Sequence, residues 1–308
     1  MQVLSSVDEF DSRPTGITIG NFDGVHKGHQ ALIARAMEVS RQEGLDFVLV
    51  TFWPHPRKVV HPEKPHAPLN GRRRRMELLE GLGVPRVLEL SFTREFAGLT
   101  PHDFATAFLV PLQVRRLVVG HDFTLGRDRS GTVDVLRHVG RTSGFDVEQL
   151  APVLVDGHPV SSTRLRRLIG LGDVEGAFGL LGRRFGVCGQ VVHGDGRGKG
   201  LGFPTANLEA SDCLLPASGV YATRFVARGV AADAVTNVGV RPTFGGEGKT
   251  VESFLLDEAG RDLYGVDARV DFVARLRDER KFEDGAALKA QIADDVGRAR
   301  PLLQAAVD

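Results

Sequence analysis

A short apolar run, Ile17-Thr18-Ile19, passes directly into Gly20-Asn21-Phe22-Asp23-Gly24-Val25-His26-Lys27-Gly28-His29 and then into a helical pattern, Gln30-Ala31-Leu32-Ile33. The order is strand, glycine-rich turn, helix N-terminus, which is the punctuation of a fold that alternates strands with helices. The first turn of such a helix carries unpaired backbone N–H groups and a partial positive charge, and both favour phosphate. Glycines let the backbone approach a ligand closely. His26 and His29 stand on one side of a helical turn and can both face that phosphate. A bare His-x-x-His pair also fits a surface pair or half of a metal site. The strand before it, the glycine spacing and the helix after it favour the anion grip.

Further β-type runs follow in the first half of the chain. Asp46-Phe47-Val48-Leu49-Val50-Thr51-Phe52, Arg86-Val87-Leu88-Glu89-Leu90 and Arg115-Arg116-Leu117-Val118-Val119-Gly120 are short and nearly continuous in apolar residues, as buried strands are. Helical patterns separate them, among them Ile33, Ala36 and Met37 on one face, and Asp103–Leu109 entered through Thr100-Pro101. This alternation predicts a parallel sheet covered on both faces, with ligands beyond the carboxyl ends of its strands. After about Gly182 the pattern changes. Tyr221–Arg228 and Arg269–Arg277 alternate with a period near two, and Gly229, Pro242, Gly245-Gly246 and Gly260 punctuate the runs. That pattern predicts an antiparallel barrel or sandwich. Only the end, Gly285–Ile292, returns to helix. The expected organisation is a first domain over residues 1–182 and a second over 183–308, with no long linker.

Composition narrows the classes of partner. Lys+Arg and Asp+Glu both number 39, so no global field draws the chain to nucleic acid or an anionic membrane. The one basic block, Arg72-Arg73-Arg74-Arg75, precedes Met76-Glu77-Leu78-Leu79 and reads as a solvated helix start rather than a binding patch. Two cysteines, Cys188 and Cys213, make neither a disulfide framework nor a zinc motif, and they fit a reducing compartment. The N-terminus lacks the pattern of a signal peptide, and no apolar stretch is long enough to span a bilayer. The expected location is the cytoplasm. A homo-oligomer is left open.

Three more loops of the first half carry polar groups. Pro54-His55-Pro56 follows the second apolar run; its prolines hold the chain extended and present His55, or simply make a rigid turn. Gly120-His121-Asp122-Phe123 follows another, with Asp122 placed to hold a ribose or a flavin edge. Ser161-Ser162-Thr163-Arg164 opens a helix, where hydroxyls cap the turn and the arginine can neutralise phosphates through forked hydrogen bonds. In the second half, Gly194-Asp195-Gly196-Arg197-Gly198-Lys199-Gly200-Leu201-Gly202-Phe203-Pro204-Thr205-Ala206-Asn207 is rich enough in glycine to wrap phosphate with main-chain N–H groups, or to be a flexible hairpin. It is not a Walker loop.

The glycine-histidine turn resembles the signature of nucleotidyltransferases that split ATP between its α- and β-phosphates. Together with Thr51-Phe52-Trp53-Pro54-His55-Pro56, Gly120–Phe123 and Ser161–Arg164, it resembles the first half of the prokaryotic bifunctional riboflavin kinase/FMN adenylyltransferases, or FAD synthetases. Pro204-Thr205-Ala206-Asn207, Ser218–Tyr221, Thr236–Thr243, Val251-Glu252-Ser253-Phe254 and Leu276–Phe282 are similar to the second. The resemblance covers nearly the whole chain. Small departures lie at Ser253-Phe254, where many relatives carry Thr-His, and at Thr124-Leu125, where many carry Arg-Phe.

The resemblance implies a Rossmann-like adenylyltransferase domain and a barrel-shaped kinase domain with a C-terminal helix. ATP, riboflavin and FMN are the implied small-molecule partners, FMN and FAD the products, and Mg²⁺ accompanies ATP. By resemblance His26, His29 and Arg164 stabilise phosphate charge, and Glu252 is the general base for the riboflavin 5′-hydroxyl. Gly20, Asn21, Phe22, Gly24, Ser161, Ser162 and Thr163 bind ATP in the first domain, and Gly196, Arg197, Gly198, Lys199 and Gly202 in the second. His55, Asp122, Phe123 and Arg277 hold flavin, and Thr205 and Asn207 hold the metal.

Overall fold

Two kinds of sheet divide the chain, as the two hydrophobic periods require. The computed structural model describes the chain except residues 12, 195–203, 211–212, 244–245, 257–262 and 307–308. It separates into two compact units, Met1–Pro68 with Arg72–Val160, and Leu69–Gly71 with Ser161–Asp308.

The first unit is built on a six-stranded parallel sheet. In chain order its strands are β1 (Gln2–Leu4), β2 (Thr15–Ile19), β3 (Asp46–Trp53), β4 (Arg86–Ser91), β5 (Val114–Val119) and β6 (Asp146–Gln149). They lie side by side as β1-β4-β3-β2-β5-β6. The three apolar runs after the first appear as β3, β4 and β5. The short edge strands β1 and β6 were not legible: a three-residue strand has no period, and Asp-Val-Glu-Gln is mostly polar. Helix α1 (Lys27–Gln42), the short α2 (Pro56–Val60) and α3 (Arg72–Gly81) follow β2 and β3. Helices α4 (Arg94–Ala97), α5 (Pro101–Phe104) and α6 (Val133–Ser143) complete the unit. One core packs Leu32, Ile33 and Ala36 of α1 and Leu79 of α3 against the sheet. A separate core gathers Phe104, Leu109, Leu136 and Val139 with Ile17, Val50 and Leu117. A parallel sheet buried on both faces results, as continuous apolar strands demand.

Strand order reverses at β2, since the chain moves from β2 through β3 to β4 on one side and to β5 and β6 on the other. The crevice beyond the carboxyl ends of β2 and β5 is therefore the topological switch point, where such sheets bind ligands.

The second unit opens with α7 (Ser162–Leu171) and α8 (Val174–Leu181), after a two-stranded hairpin, β7 (Leu154–Val155) and β8 (His158–Pro159), of the first. Strands β9 (Phe185–Val192), β10 (Thr205–Glu209), β11 (Gly219–Ala227), β12 (Val230–Thr243), β13 (Gly246–Leu255) and β14 (Asp267–Arg277) close into a barrel. Every neighbouring pair in it is antiparallel. Tyr221, Phe185, Phe225 and Phe272 are among its fully buried side chains. Buried hydroxyls run from Thr223 to Thr236 at 2.7 Å and on to Ser253 at 2.8 Å, so polar groups in the barrel are satisfied by one another. Ser253 thus belongs to this buried chain of hydroxyls. Helix α9 (Gly285–Ala305) packs Ala299 and Leu303 on Val220, Ala222 and Val273 of the barrel wall.

Candidate active sites

The turn between β2 and α1 holds the histidines by means the sequence only partly announces. His26 is the N-cap of α1, and its Nδ1 accepts the His29 backbone N–H at 3.2 Å. A neutral imidazole that accepts at Nδ1 carries its proton on Nε2, so the cap sets His26 as an Nε2–H donor. The two rings stack at 3.6 Å between centroids, 13° from parallel. Phe22 meets the His29 ring edge-on at 5.3 Å. Two glycines make this arrangement feasible. Gly24 has φ +87°, and a Cβ on Gly28 would stand 3.2 Å from the His26 ring. Phe22 and Val25 also adopt positive φ, at 47° and 41°. Backbone strain of this kind persists only where surroundings hold it, here by burying both side chains.

The four-arginine block opens α3 with Arg72 and Arg73 exposed, as a solvated helix start does, but its last member departs from that reading. Arg75 is buried, not solvated: it donates to Asn21 O and Phe52 O at 3.1 Å each and to Glu89 Oε1 at 2.7 Å. Arg72 also donates to Glu89. Arg75 thereby fastens the backbone of the histidine turn to the end of β3. Desolvation pulls its pKa below the ordinary arginine value, against the opposing pull of Glu89. The missed signal was Glu89, a carboxylate between Leu88 and Leu90, which burial obliges to find a charged or hydrogen-bonding partner.

The flavin candidates of the sheet unit follow the carboxyl ends of β3 and β5. His55 caps α2, with Nδ1 accepting from Arg57 N at 3.1 Å, and its ring lies 4.3 Å from that of His66. Asp122 and Phe123 follow β5 at the switch point; Asp122 is exposed, while Phe123 packs against the second sheet core. Ser161 caps α7 and accepts the Arg164 N–H at 3.2 Å, with Ser162 and Thr163 in the first turn. These four residues belong to the second compact unit.

In the barrel, β-register assembles a second group. Asn207 of β10 pairs with Glu252 of β13, and Glu252 pairs with Asn237 of β12. Residues directly opposite share a sheet face, and Thr205 lies two residues from Asn207 on that same face. Their neighbours Ala206, Ser253 and Thr236 are buried on the other face. Gly194 approaches Asn207 so closely that a Cβ would overlap its carboxamide. Gly239, two residues past Asn237, is approached by the Glu279 carboxylate, which a Cβ would meet at 2.6 Å. Gly196, Arg197, Gly198, Lys199 and Gly202 lie outside the described residues.

Arg277 ends β14, and Asp295 of α9 orients its guanidinium. Nε and Nη2 donate to Asp295 of α9, at 2.9 and 2.8 Å respectively, and Nη1 donates to Asp278 O at 2.9 Å. Gln291 donates to the same buried Asp295 at 2.9 Å. Asp295 was not legible in the sequence, since a carboxylate on a polar helix carries no mark of its partner.

Both halves match known families. Residues 8–164 match the model of FAD synthetase, and residues 181–303 match that of riboflavin kinase. The bifunctional riboflavin kinase/FMN adenylyltransferase of Pseudomonas fluorescens is 42% identical over 287 residues, covering 92% of each chain. That of Escherichia coli K12 is 38% identical, covering 92% of this chain and 91% of its own, and that of Bacillus subtilis 168 is 34% identical. A crystal structure described as a macrolide-efflux protein from Streptococcus pneumoniae is similar to this chain with a TM-score of 0.87 at 30% identity. It covers 97% of this chain and 98% of that one. Among the described residues, no helix is long and apolar enough to cross a membrane. With both family models in order along one chain and relatives matched nearly end to end, the chain belongs to the bifunctional riboflavin kinase/FMN adenylyltransferase family, whose members make FMN from riboflavin and FAD from FMN.

Proposed function

We propose that the two reactions use separate sets of side chains, divided near residues 182 and 183. The riboflavin kinase match begins at residue 181, within two residues of that boundary. The observation that carries the kinase assignment is the β-register placing Glu252 opposite Asn207, two residues from Thr205. Hydroxyl and carboxamide oxygens are hard donors that suit Mg²⁺. Thr205 and Asn207 would hold the ion, which supplies charge neutralisation on the ATP phosphates. Glu252 orients the riboflavin 5′-hydroxyl and takes its proton as the bond to the γ-phosphorus forms. Gly196, Arg197, Gly198, Lys199 and Gly202 are assigned to the ATP phosphates, and Arg277 to the flavin.

In adenylyl transfer, an FMN phosphate oxygen attacks the α-phosphorus of ATP and pyrophosphate leaves in line. No protein nucleophile is needed, so the residues position substrates and neutralise charge. His26 donates from Nε2, a tautomer supported by its capping bond. His29 and Arg164 share the phosphate charge. Main-chain groups at Gly20, Asn21, Phe22 and Gly24, with Ser161, Ser162 and Thr163, hold ATP, while His55, Asp122 and Phe123 hold FMN. The balanced charge fits an enzyme of small molecules in the cytoplasm, without nucleic acid, and a homo-oligomer is compatible with it.

The test is one incubation with riboflavin and ATP, with and without Mg²⁺, resolved by chromatography over time. FMN should appear first and FAD after it, both only with Mg²⁺. Undiminished product in the presence of a strong chelator would reject the metal assignment.

A further inference from the structure

Asp23, His55 and His66 come from three separate stretches of the sheet unit, and one ligand atom from each lies within 4.8 Å of the other two. Asp23 belongs to the turn after β2 and is 4% exposed. His55 precedes α2, and His66 lies in the irregular connection between α2 and α3. The Nε2 of His66 is shielded from solvent. Neither Asp23 nor His66 has a part in the adenylyl transfer described above.

We propose that Asp23, His55 and His66 form a binding site for a divalent transition-metal cation, with Zn²⁺ as its preferred occupant. Two imidazole nitrogens and one carboxylate oxygen suit borderline cations, whereas Mg²⁺ favours oxygen alone. Three protein ligands leave a fourth position open, the pattern of zinc sites that take an exchangeable ligand. Bonds of about 2.0–2.1 Å in a tetrahedron set ligand atoms roughly 3.3 Å apart. Side-chain rotation of His66 on its irregular segment closes the remaining separation.

Two features of the surroundings bear on the site. Arg75 exerts its electrostatic pull toward Asp23, but its main counter-charge is Glu89 at 2.7 Å. The charge of Asp23 is therefore not the sole partner of that guanidinium. His55 accepts the Arg57 N–H at Nδ1, and an imidazole bound to a cation through Nε2 carries its proton on Nδ1. Loading the site through Nε2 thus removes the capping bond from Arg57 and loosens the start of α2. Asp23 stands three residues before His26, so the bound cation adds positive charge to the histidine turn. Its open position suits a phosphate oxygen; that last point rests on the adenylyltransferase reading, whereas cation binding does not.

The test titrates Zn²⁺ into the full, untagged, chelator-stripped chain against a chromophoric chelator. One Zn²⁺ per chain should bind, and His66→Ala should weaken it by at least about 100-fold. His138→Ala, on the exposed face of α6, should change nothing. A second variant gives a positive signal: His66→Cys loaded with Co²⁺ should show sulfur-to-cobalt charge-transfer absorption that the native chain lacks. Equal Zn²⁺ affinity in the native chain and His66→Ala would overturn the proposal. So would a folded His66→Cys chain without the new band, which also decides the matter if His66→Ala does not fold. Loss of cation binding with FAD synthesis intact would leave the site standing and remove only its link to phosphate.

Discussion

The Nη2 of Arg75 lies 2.7 Å from Glu89 Oε1, with only 3% and 8% of the two residues exposed. The same guanidinium holds the carbonyls of Asn21 and Phe52. One buried ion pair therefore ties the turn that bears His26 to the ends of β3 and β4.

Breaking that pair should be costly. Arg75→Ala leaves a buried carboxylate with only the half-exposed Arg72 beside it and frees two backbone carbonyls, a change worth about 3–5 kcal/mol. Urea unfolding followed by circular dichroism should show it. Arg75→Met combined with Glu89→Leu should recover much of the loss, since an apolar pair replaces an ion pair well in such a site. A single variant as stable as the native chain would mean that the guanidinium is not needed to hold the turn.

The two reactions should separate by mutation. Glu252→Ala should lower FMN formation by about 100- to 1000-fold while supplied FMN is still converted to FAD, and His29→Ala should do the reverse. Chromatography of each reaction with folded variants measures both. Parallel loss of both activities in each variant would contradict separate sites.

The bond broken in ATP should also differ. An analogue with nitrogen between the β- and γ-phosphorus should not phosphorylate riboflavin, yet should still convert FMN to FAD. An analogue with methylene between α and β should support FMN formation and block FAD. FAD made from the second analogue, with contaminating ATP removed, would exclude attack at the α-phosphorus.

A fragment starting at Arg183 should fold and phosphorylate riboflavin, and one starting at Ser161 should do so with greater stability. The longer piece keeps α8, whose Val174, Ala177, Leu180 and Leu181 are buried. Each large apolar side chain buried in this way contributes roughly 1.5–3 kcal/mol. Chemical unfolding of the two fragments compares them. Equal stability would mean that α8 adds nothing to the barrel.

The parts of this molecule legible in the sequence are those where period or motif is local. Strands β3, β4 and β5 are continuous apolar runs, and β11 and β14 alternate, so their burial is written in the residues themselves. The His26 turn and the Thr205–Asn207 strand carry motifs within a few residues. Pairings across long sequence separations left weaker traces. Arg75 looked like one more surface arginine because its partner Glu89 arrives through the sheet. Asp295 finds Arg277 only once α9 lies on the barrel, and His66 meets Asp23 only through the path of an irregular connection.

The contrast between a closed barrel and an open sheet has a consequence for handling the two halves. Among the described residues every barrel strand has neighbours on both sides along much of its length, which leaves less unpaired backbone for another chain to extend than an open sheet does. The parallel sheet ends in β1 and β6, which are edges; one is three residues long and the other carries the exposed carboxylate of Asp146. Short length and negative charge are what keep such borders from joining their copies in other molecules. Substitutions that lengthen β1 or neutralise β6 should therefore make the sheet half precipitate through edge-to-edge association, while equivalent neutralising changes on the barrel strands should leave that half in solution.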